Sequence, residues 1–205
     1  TTLFRSEPTA ASPRYTGPVE IGKSARFRAT ALREGGENAS YSREFAFSKS
    51  TGRPAVLNTK PNDSYTFEGA SLLVDGYHSR PVFTSGAWLG YLDEPLDVTI
   101  DMGGEQSYRS VELETLAEKG DWIFPPSSVT VWVSDNGTDF TEVASVAVPE
   151  AKAGDADGIG RYRMQFPETS ARYLKVVAQN AAAIPAWHPG AGSKGFLFVD
   201  EVVVE

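Results

Sequence analysis

Short alternating segments of strand type, with almost no helical periodicity between them, constrain the fold of this 205-residue chain more than any other feature. In "SVTVWVSDNGTDFTEVASV", Val129, Val131 and Val133 share one face, and Asn136-Gly137 offers the positive φ angles of a type I′ turn. The segments "LDVTIDMG", "RYLKVVA" and "GFLFVDEVVV" are also typical of strands. Many short antiparallel strands without helices between them predict an all-β sandwich or barrel.

Composition excludes several classes of function. A net charge of −8 argues against a nucleic-acid partner, which would require a basic surface. No apolar run approaches the roughly 20 residues of a membrane span, so none is predicted. The chain has no cysteine, which excludes disulfides and thiolate sites. It also contains no Gly-x-Ser-x-Gly elbow and no phosphate-binding glycine loop, so neither a serine triad nor nucleotide binding is supported.

A change in composition at residues 48–64 predicts a domain boundary. "SKSTGRP" and "NTKPNDS" are rich in Ser, Thr, Gly, Pro and Asn, whereas "GKSARFRATALREGGENASYSREFAF" before them reads as two strands around a "REGGEN" turn. About fifty residues make a poor independent core. We therefore predict a truncated β-domain at 1–52, a linker at 53–64 and a larger β-domain at 65–205.

The first of these segments resembles a known family. "SEPTAASPRYTGPVEI", "SARFRATALREGG" and "YSREF" look like the small fibronectin-like β-domain that follows the catalytic barrel in bacterial β-hexosaminidases of glycoside hydrolase family 20. Ser6, Pro8 and Thr9 keep that family's Ser-x-Pro-Thr run, whereas Phe4 and Arg5 stand in place of its Asp-Gly. The resemblance implies a truncated fibronectin-like sandwich, with residues 1–5 interpreted as a junction that is not native sequence.

The rest of the chain resembles the discoidin-type (F5/8 type C, carbohydrate-binding family 32-like) module that often ends the same enzymes. The segments that carry this resemblance are "SLLVDGYHS", "WLGYLDEPLDVTIDMG", "WIFPPSSVTVWVSDNGTDF", "ARYLKVVAQN" and "WHPGAGSKGFLFVDEVVV". It implies an eight-stranded jelly roll. It further implies an accessory region of a periplasmic or extracellular bacterial β-N-acetylhexosaminidase, a glycosidase whose catalytic barrel would be a partner of this chain.

A calcium site follows from the same resemblance. Discoidin-type domains often hold one Ca²⁺ with an Asp in an early "Asp-Gly" loop and a Glu on the last strand, positions matched here by Asp75 and Glu201. Two carboxylates with loop carbonyls suit a cation that takes six to eight oxygens, and Ser79 is a candidate hydroxyl ligand. The alternative is that Asp75 caps its own turn and Glu201 pairs with a surface arginine.

Aromatic residues in loops rich in Gly and Pro are the candidate sugar contacts. "GDWIFPP" carries Trp122 and Phe124, "IPAWHPGAG" carries Trp187 and His188, and "DGYHSR" adds Tyr77 and His78. The apolar C–H faces of sugars stack on tryptophan, and imidazole or carboxylate groups bind the hydroxyls. The expected ligand is a glycan ending in a hexosamine or a galactose-type sugar. The alternative is that these side chains plug the end of the core, as we expect for Trp88.

The neighbouring acids Asp200 and Glu201 have the same Asp-Glu order as the catalytic pair of the hexosaminidase family that this chain resembles. They lie in the strand "FLFVDEVVV" without a barrel of roughly 250 residues, and neighbours on a strand point to opposite faces. We therefore expect no catalytic residue and no hydrolysis by this chain. Carbohydrate binding is the leading prediction; packing against the catalytic barrel is the alternative, and adhesion to a protein partner is a third.

Overall fold

The structure is a computed structural model that describes residues 7–33, 35 and 38–205. Within these ranges it contains nine strands and four short 3₁₀ helices. The strands are β1 (Ala25–Ala31), β2 (Ala39–Phe45), β3 (Ala55–Leu57), β4 (Leu89–Tyr91), β5 (Leu96–Ala117), β6 (Ser128–Ser134), β7 (Thr141–Ala147), β8 (Gly158–Gln179) and β9 (Leu197–Val204). The 3₁₀ helices are Asp63–Tyr65, Gly69–Val74, Phe83–Ser85 and Lys119–Asp121.

Strands β3 to β9 form a connected antiparallel system that folds into two layers. The first half of β5 pairs with β3 and with the second half of β8, which continues to β6 and β7. The second half of β5 pairs with the first half of β8 and with β9, and β9 pairs with β4. Register shifts in β5, at 101–106 and 108–110, separate the two halves. The predicted all-β sandwich is confirmed.

Two long strands explain why the strand count differs from the predicted eight. Strands β5 and β8 each run for 22 residues and pass from one layer to the other. The described sandwich therefore has seven named strands, and because β5 and β8 each contribute one segment to both layers, these supply nine strand segments where eight were predicted.

The core lies between the two layers and follows the alternation read from the sequence. Val129 and Val131 on β6 are fully buried, with Val133 nearly so. Leu96, Val98, Ile100 and Met102 on β5 are also fully buried. A second apolar cluster of Trp88, Leu116, Ile123 and Phe198 closes one end, and the Trp88 indole N–H donates to the Arg80 carbonyl at 2.9 Å. Trp88 is core, as predicted.

The turn between β6 and β7 differs from the predicted type I′ turn. Six residues separate the strands, and of the Asn136-Gly137 pair only Gly137 has a positive φ, of 77°. The Asn136 side-chain oxygen accepts from the backbone N–H groups of Thr138 and Asp139, both at 2.9 Å. Asparagine therefore builds this turn through its side chain, a common alternative to the left-handed backbone.

Strands β1 and β2 form the predicted hairpin, which contacts the sandwich at its base. The Ala46 N–H donates to the Gly76 carbonyl at 2.7 Å, and a Cβ added at Gly76 would meet the Phe47 ring at 3.0 Å. Residues 34, 36 and 37 of the predicted "REGGEN" turn, and the proposed junction at 1–5, lie outside the described residues.

The interval 53–64, predicted as a linker, lies within the sandwich. Its residues Ala55–Leu57 are strand β3, which pairs with β5. Just before it, the Ser50 hydroxyl donates to the Val202 carbonyl at 2.5 Å, and the Lys49 N–H donates to the Val204 carbonyl at 2.9 Å. The polar segments that suggested a linker are the turns on either side of this short apolar edge strand, and turns are commonly rich in Ser, Asn, Gly and Pro.

Candidate functional site

Two half-exposed tryptophans lie in neighbouring loops at one end of the sandwich. Trp122 follows the 3₁₀ helix Lys119–Asp121 and has a φ of 64°, in the left-handed region that non-glycine residues rarely adopt. Its indole covers Gly190, where an added Cβ would lie 2.8 Å from the ring. The Trp122 side chain nevertheless remains 43% exposed. Strained backbone positions cluster at functional sites, which makes Trp122 a candidate functional residue.

Trp187 is held beside it by a different set of contacts. Its indole N–H donates to the Ala151 carbonyl at 3.0 Å, which fixes the ring while leaving it 39% exposed. The loop around it is closed on itself, because the Ile184 N–H donates to Ser193 and the Gly192 N–H donates to Ile184. The two indoles therefore stand on loops whose positions are set before any ligand arrives.

His188 is buried beneath the two tryptophans, contrary to its prediction as a sugar contact. It is 8% exposed and lies edge-to-face against Trp122 and Trp187, at centroid distances of 6.1 and 5.6 Å. Its Nδ1 accepts from the Gly190 N–H at 3.0 Å, so Nε2 carries the proton and donates to the Lys119 carbonyl at 2.9 Å. Nε2 joins the two loops and Nδ1 holds the turn of its own loop at Gly190, so both ring nitrogens are occupied and His188 positions the tryptophans.

Phe124 also belongs to the interior. It is buried against Ala151 and Ile184, and its ring occupies the space that a Cβ at Gly195 would need. Of the four aromatic residues predicted in these two loops, the structure therefore exposes the two tryptophans and uses His188 and Phe124 to support them. We call the exposed rings of Trp122 and Trp187 the tryptophan surface.

An apolar groove of about 340 Å³ adjoins the tryptophan surface. Its walls come from three loops, at 124–127, 148–151 and 181–186, and Ala151, which fixes the Trp187 indole, is among its lining residues. Proline and alanine dominate the lining, while Ser127 and Glu150 supply polar groups. A site with apolar walls and a few polar groups is typical of small-molecule recognition.

The candidate metal ligands meet at a β-bulge elsewhere in the sandwich. On β9, Val199 pairs with Thr115 and Val202 pairs with Leu113, so Asp200 and Glu201 together face one residue of β5. The bulge interrupts the strict alternation assumed from the sequence. As a result, both acids reach the same loop: Glu201 accepts the Gly76 N–H at 3.2 Å, and Asp200 accepts the Ser79 N–H at 2.7 Å.

The surroundings of these carboxyl groups disfavour the charged form, so the pKa values are raised. Burial, with the charges of neighbouring acids, raises the pKa of Asp200 to about 8 and that of Glu201 to about 9. Burial also raises the pKa of Asp75, whose Oδ1 accepts the Tyr77 N–H at 2.7 Å. The residue of β5 that faces the bulge, Glu114, has a buried Oε1 without a hydrogen-bond partner among the described residues. Asp75, Asp200 and Glu201 are therefore favoured either as protonated acids or beside a cation.

The oxygen-only chemistry of this set fits a hard cation such as Ca²⁺. Among the described residues, no three His, Cys, Asp or Glu side chains form a metal-binding group. A cation here would therefore rely on Asp75 and Glu201 together with backbone carbonyls, as the sequence predicted. Ser79 meets Asp200 through its N–H, and its hydroxyl donates to the Ala87 carbonyl at 3.2 Å. The alternative interpretation holds in one half only: Asp75 caps its own turn by accepting the Tyr77 N–H at 2.7 Å, whereas Glu201 contacts no arginine within the described part of the chain.

Tyr77 and His78 lie away from the tryptophan surface. They line a separate cavity beside the β1–β2 hairpin, and no residue lines both cavities. The His78 Nδ1 lies 2.8 Å from Glu114 Oε2, and this contact raises the pKa of His78 above its ordinary value. The predicted set of six sugar contacts is thus divided between two places in the fold.

Sequence reasoning missed Glu114 and Arg43, which connect these features. Glu114 stands in "VELETLA", where alternation alone does not show that a bulge will face it. Arg43 lies on β2, and its guanidinium stacks 3.6 Å from the centre of the Tyr77 ring. No local signal predicts that contact, because it depends on how the hairpin packs against the sandwich.

The fold and its loop sites define a discoidin-like β-sandwich, and a comparison with family models gives its family. The F5/8 type C domain model matches residues 58–194, so the chain belongs to that family. The "Fn3 associated" model matches residues 2–45, the segment of the hairpin. No curated protein matches the chain.

Solved structures with related folds share little sequence with this chain. CpGH89CBM32-5 from Clostridium perfringens, solved with GalNAc-beta-1,3-galactose, is 16% identical with a TM-score of 0.48, over 74% of this chain and 93% of that one. A chitosan-binding module 2 of a chitosanase/glucanase from Paenibacillus sp. IK-5, solved with chitotriose, is 17% identical with a TM-score of 0.49, over 77% and 98%. A fucose binding module of Streptococcus pneumoniae is 22% identical with a TM-score of 0.47, over 77% and 94%.

Within the described ranges, none of the helices has the length and hydropathy needed to cross a bilayer.

Proposed function

We propose that this chain binds carbohydrate at the tryptophan surface. The observation that carries the proposal is the pair of half-exposed indoles, Trp122 and Trp187, fixed beside an apolar groove in a domain of the F5/8 type C family. Exposed tryptophans are costly in water, and two of them on adjoining loops of a small domain indicate a contact surface.

The geometry suits a sugar ring in particular. A pyranose has an apolar face of C–H groups that can lie on an indole, and hydroxyls around its rim that need polar partners. Glu150 and Ser127 in the groove wall can supply those partners. A terminal hexosamine or a galactose-type sugar is the ligand we propose. Because the loops are already held by His188 and by their own hydrogen bonds, little ordering is required on binding.

The biological role that we propose is that of a non-catalytic accessory module. The Fn3-associated segment and the F5/8 type C domain follow one another as in the resemblance to β-N-acetylhexosaminidases. We propose such a glycosidase as the parent protein, acting in the periplasm or outside the cell. Weak binding by the module would hold its catalytic barrel near a glycan and raise the effective substrate concentration.

A structural Ca²⁺ is a second part of the proposal. Asp75 and Glu201 would hold it, with backbone carbonyls completing the shell and the Ser79 hydroxyl as a further candidate ligand. Support comes from the complete burial of Glu201, the partial burial of Asp75 and the absence of a paired cation at Glu201 among the described residues. The ion would neutralise the acids at the bulge and join the 75–79 loop to the last strand.

The apolar groove also favours the alternative function, packing against a catalytic barrel. Its lining of proline, alanine, Phe124 and Ile184 resembles a protein interface as much as a sugar site. Under this alternative the tryptophan surface would contact protein, and the isolated chain would bind no saccharide.

A glycan array separates these functions. The whole chain is compared with Trp187→Ala and with Tyr15→Ala, a control that removes an exposed aromatic ring distant in sequence from the loops. We expect defined binding by the wild type and the control, and at least about a tenfold loss in Trp187→Ala, which corresponds to ~1.4 kcal/mol. If the folded wild-type chain binds no glycan on a broad array, that result contradicts carbohydrate binding and favours the packing function.

A further inference from the structure

A second cavity, of about 460 Å³, lies where the β1–β2 hairpin meets the 75–80 loop and the start of β8. Four arginines line it: Arg26, Arg43, Arg80 and Arg161. We call this cavity the arginine pocket. It is an unusual concentration of positive charge in a chain whose net charge is −8.

Ion pairs within the molecule neutralise only part of this charge. Arg26 donates to Glu44 through Nε at 3.2 Å and Nη2 at 2.6 Å. The Arg161 Nε donates to Glu114 at 3.0 Å and lies 3.8 Å from Glu112. Three carboxylates thus pair with two of the four arginines, which leaves two guanidinium groups of the pocket without a carboxylate within 4.0 Å among the described residues.

Two arginines of the pocket, Arg43 and Arg80, have no carboxylate partner among the described residues, and Arg43 is the more buried of them. No carboxylate oxygen of the described residues lies within 4.0 Å of its guanidinium, although Asp75 is close enough to feel its charge. The guanidinium stacks on Tyr77, and its Nε is buried without a hydrogen-bond acceptor in the described part of the chain. A buried donor without an acceptor is costly, and a ligand that supplies one removes that cost.

Arg80 is the second arginine of the pocket for which the described residues provide no carboxylate partner. Its carbonyl is fixed by the Trp88 indole N–H at 2.9 Å, so its backbone is tied to the core while its side chain is exposed. It, too, has no carboxylate within 4.0 Å among the residues described. One cavity is thus lined by two guanidinium groups that have no carboxylate partner in the described part of the chain: Arg43 is half-buried and stacked on Tyr77, and Arg80 is exposed.

We propose that the arginine pocket binds the carboxylate or sulfate group of an acidic saccharide. A guanidinium presents a planar fork of N–H donors that matches two oxygens of a carboxylate or sulfate. Ser42, Tyr77 and His78 in the same wall offer polar groups for neighbouring hydroxyls. The cavity volume lies in the range of small-molecule sites. That the anion is carried by a saccharide rests on the proposed carbohydrate-binding function; the anion site itself stands on the geometry alone.

The test is a titration of the whole chain followed by backbone amide NMR shifts. The probes are galacturonic acid, galactose 6-sulfate, neutral galactose and inorganic sulfate. We expect the two acidic sugars to shift the amides of residues 42–46 and 76–80, and neutral galactose to leave them in place. Binding should weaken as ionic strength rises, because partly exposed charges are screened.

Matched variants locate the site. Arg80→Gln changes an exposed side chain that the fold does not need, and we expect it to weaken acidic-sugar binding at least about tenfold. Arg43→Gln should do the same. Arg109→Gln removes an exposed arginine outside the pocket and should leave the affinity unchanged. Trp187→Ala should also leave it unchanged, which separates this proposal from the function of the tryptophan surface.

Three results would overturn the proposal. The first is that neither acidic sugar shifts the 76–80 amides. The second is that Arg80→Gln and Arg43→Gln both bind like the wild type. The third is that sulfate alone binds as tightly as galactose 6-sulfate, which would refute the saccharide part of the assignment. If Trp187→Ala loses glycan binding on the array but still binds the acidic sugars in the NMR titration, both proposals are supported and the two sites are separate.

Discussion

Asp101 shows how one well-placed partner sets the ionisation of a surface carboxylate. Arg172 donates to both of its oxygens, at 2.9 and 2.8 Å, and the Gly103 N–H adds a third hydrogen bond at 2.9 Å. The bonds from Arg172, followed by that from Gly103, lower the pKa of Asp101 from 3.8 to about 2. Because its pKa is lower in the folded state, Asp101 contributes stability above about pH 4, and that contribution is lost as the pH falls through 2.

We predict that Arg172→Gln raises the pKa of Asp101 most of the way toward its ordinary value, with the Gly103 bond keeping it slightly below. A carboxyl-carbon NMR titration from pH 1.5 to 6 measures this directly. The matched control is Arg109→Gln, which removes an arginine that contacts Glu168 instead. An unchanged Asp101 titration in Arg172→Gln would show that the bidentate pair does not form in solution.

Burial could be predicted from the sequence for residues in strands but not for residues in loops. The alternating valines of β6 were assigned to the core correctly, since burial of regular strands follows from their period. His188 and Trp187 are neighbours in the same loop, yet one is buried and the other exposed. Loop side chains have no period, so their burial depends on tertiary contacts such as the bond from His188 to the Lys119 carbonyl.

At the scale of elements, the bulge on β9 decides what Asp200 and Glu201 can do. Strict alternation predicts that the two carboxyls separate to opposite faces, whereas the bulge directs both to the 75–79 loop. A bulge inserts a single residue into a ladder and depends on pairing with β5, so the sequence of β9 alone does not reveal it. The approach of Asp75 and Glu201 was anticipated only through the family resemblance.

We predict that Ca²⁺ raises the melting temperature of the chelator-treated chain. At a concentration 100 times its Kd the gain is about 2.7 kcal/mol. For a protein of this size that corresponds to roughly 5–10 °C. The cause is the relief of buried carboxylates at Asp75 and Glu201, and differential scanning calorimetry with and without Ca²⁺ measures it.

Glu201→Gln is the informative variant for this prediction. It keeps the shape and an oxygen for the Gly76 N–H, so in chelator it should be no less stable than the wild type, while its response to Ca²⁺ disappears. Glu142→Gln, on the exposed face of β7, is the control and should respond like the wild type. Equal Ca²⁺ responses in wild type and Glu201→Gln would refute the assigned ligands.

At the scale of the whole molecule, the sandwich has a hydrophobic core of its own, whereas the hairpin packs against the sandwich. The buried core runs from Leu72 to Val204, and the sheet begins with β3, so the sandwich contains its own core. The hairpin adds the Ala46 bond to Gly76, the Phe47 contact and the stacking of Arg43 on Tyr77. Those contacts order the 75–80 loop and form one wall of the arginine pocket.

We therefore predict that residues 48–205 fold without the hairpin. A single cooperative unfolding transition should remain in calorimetry, a few degrees below that of the whole chain, and glycan binding by the tryptophan surface should survive. Acidic-sugar shifts at residues 76–80 should be lost, because Arg26 and Arg43 are gone. A non-cooperative melt of the shortened chain would show that the hairpin is an essential part of the fold.

The central claim is that a sugar lies on Trp122 and Trp187, and the four tryptophans of the chain allow a direct measurement. Indole ¹⁵N–¹H resonances give one signal for each ring during a titration of the whole chain with the saccharide selected on the array. We predict saturable shifts for Trp122 and Trp187, with Trp88 in the core and Trp132 on β6 serving as internal controls that do not move. Saturable binding that leaves the Trp122 and Trp187 signals in place would contradict it.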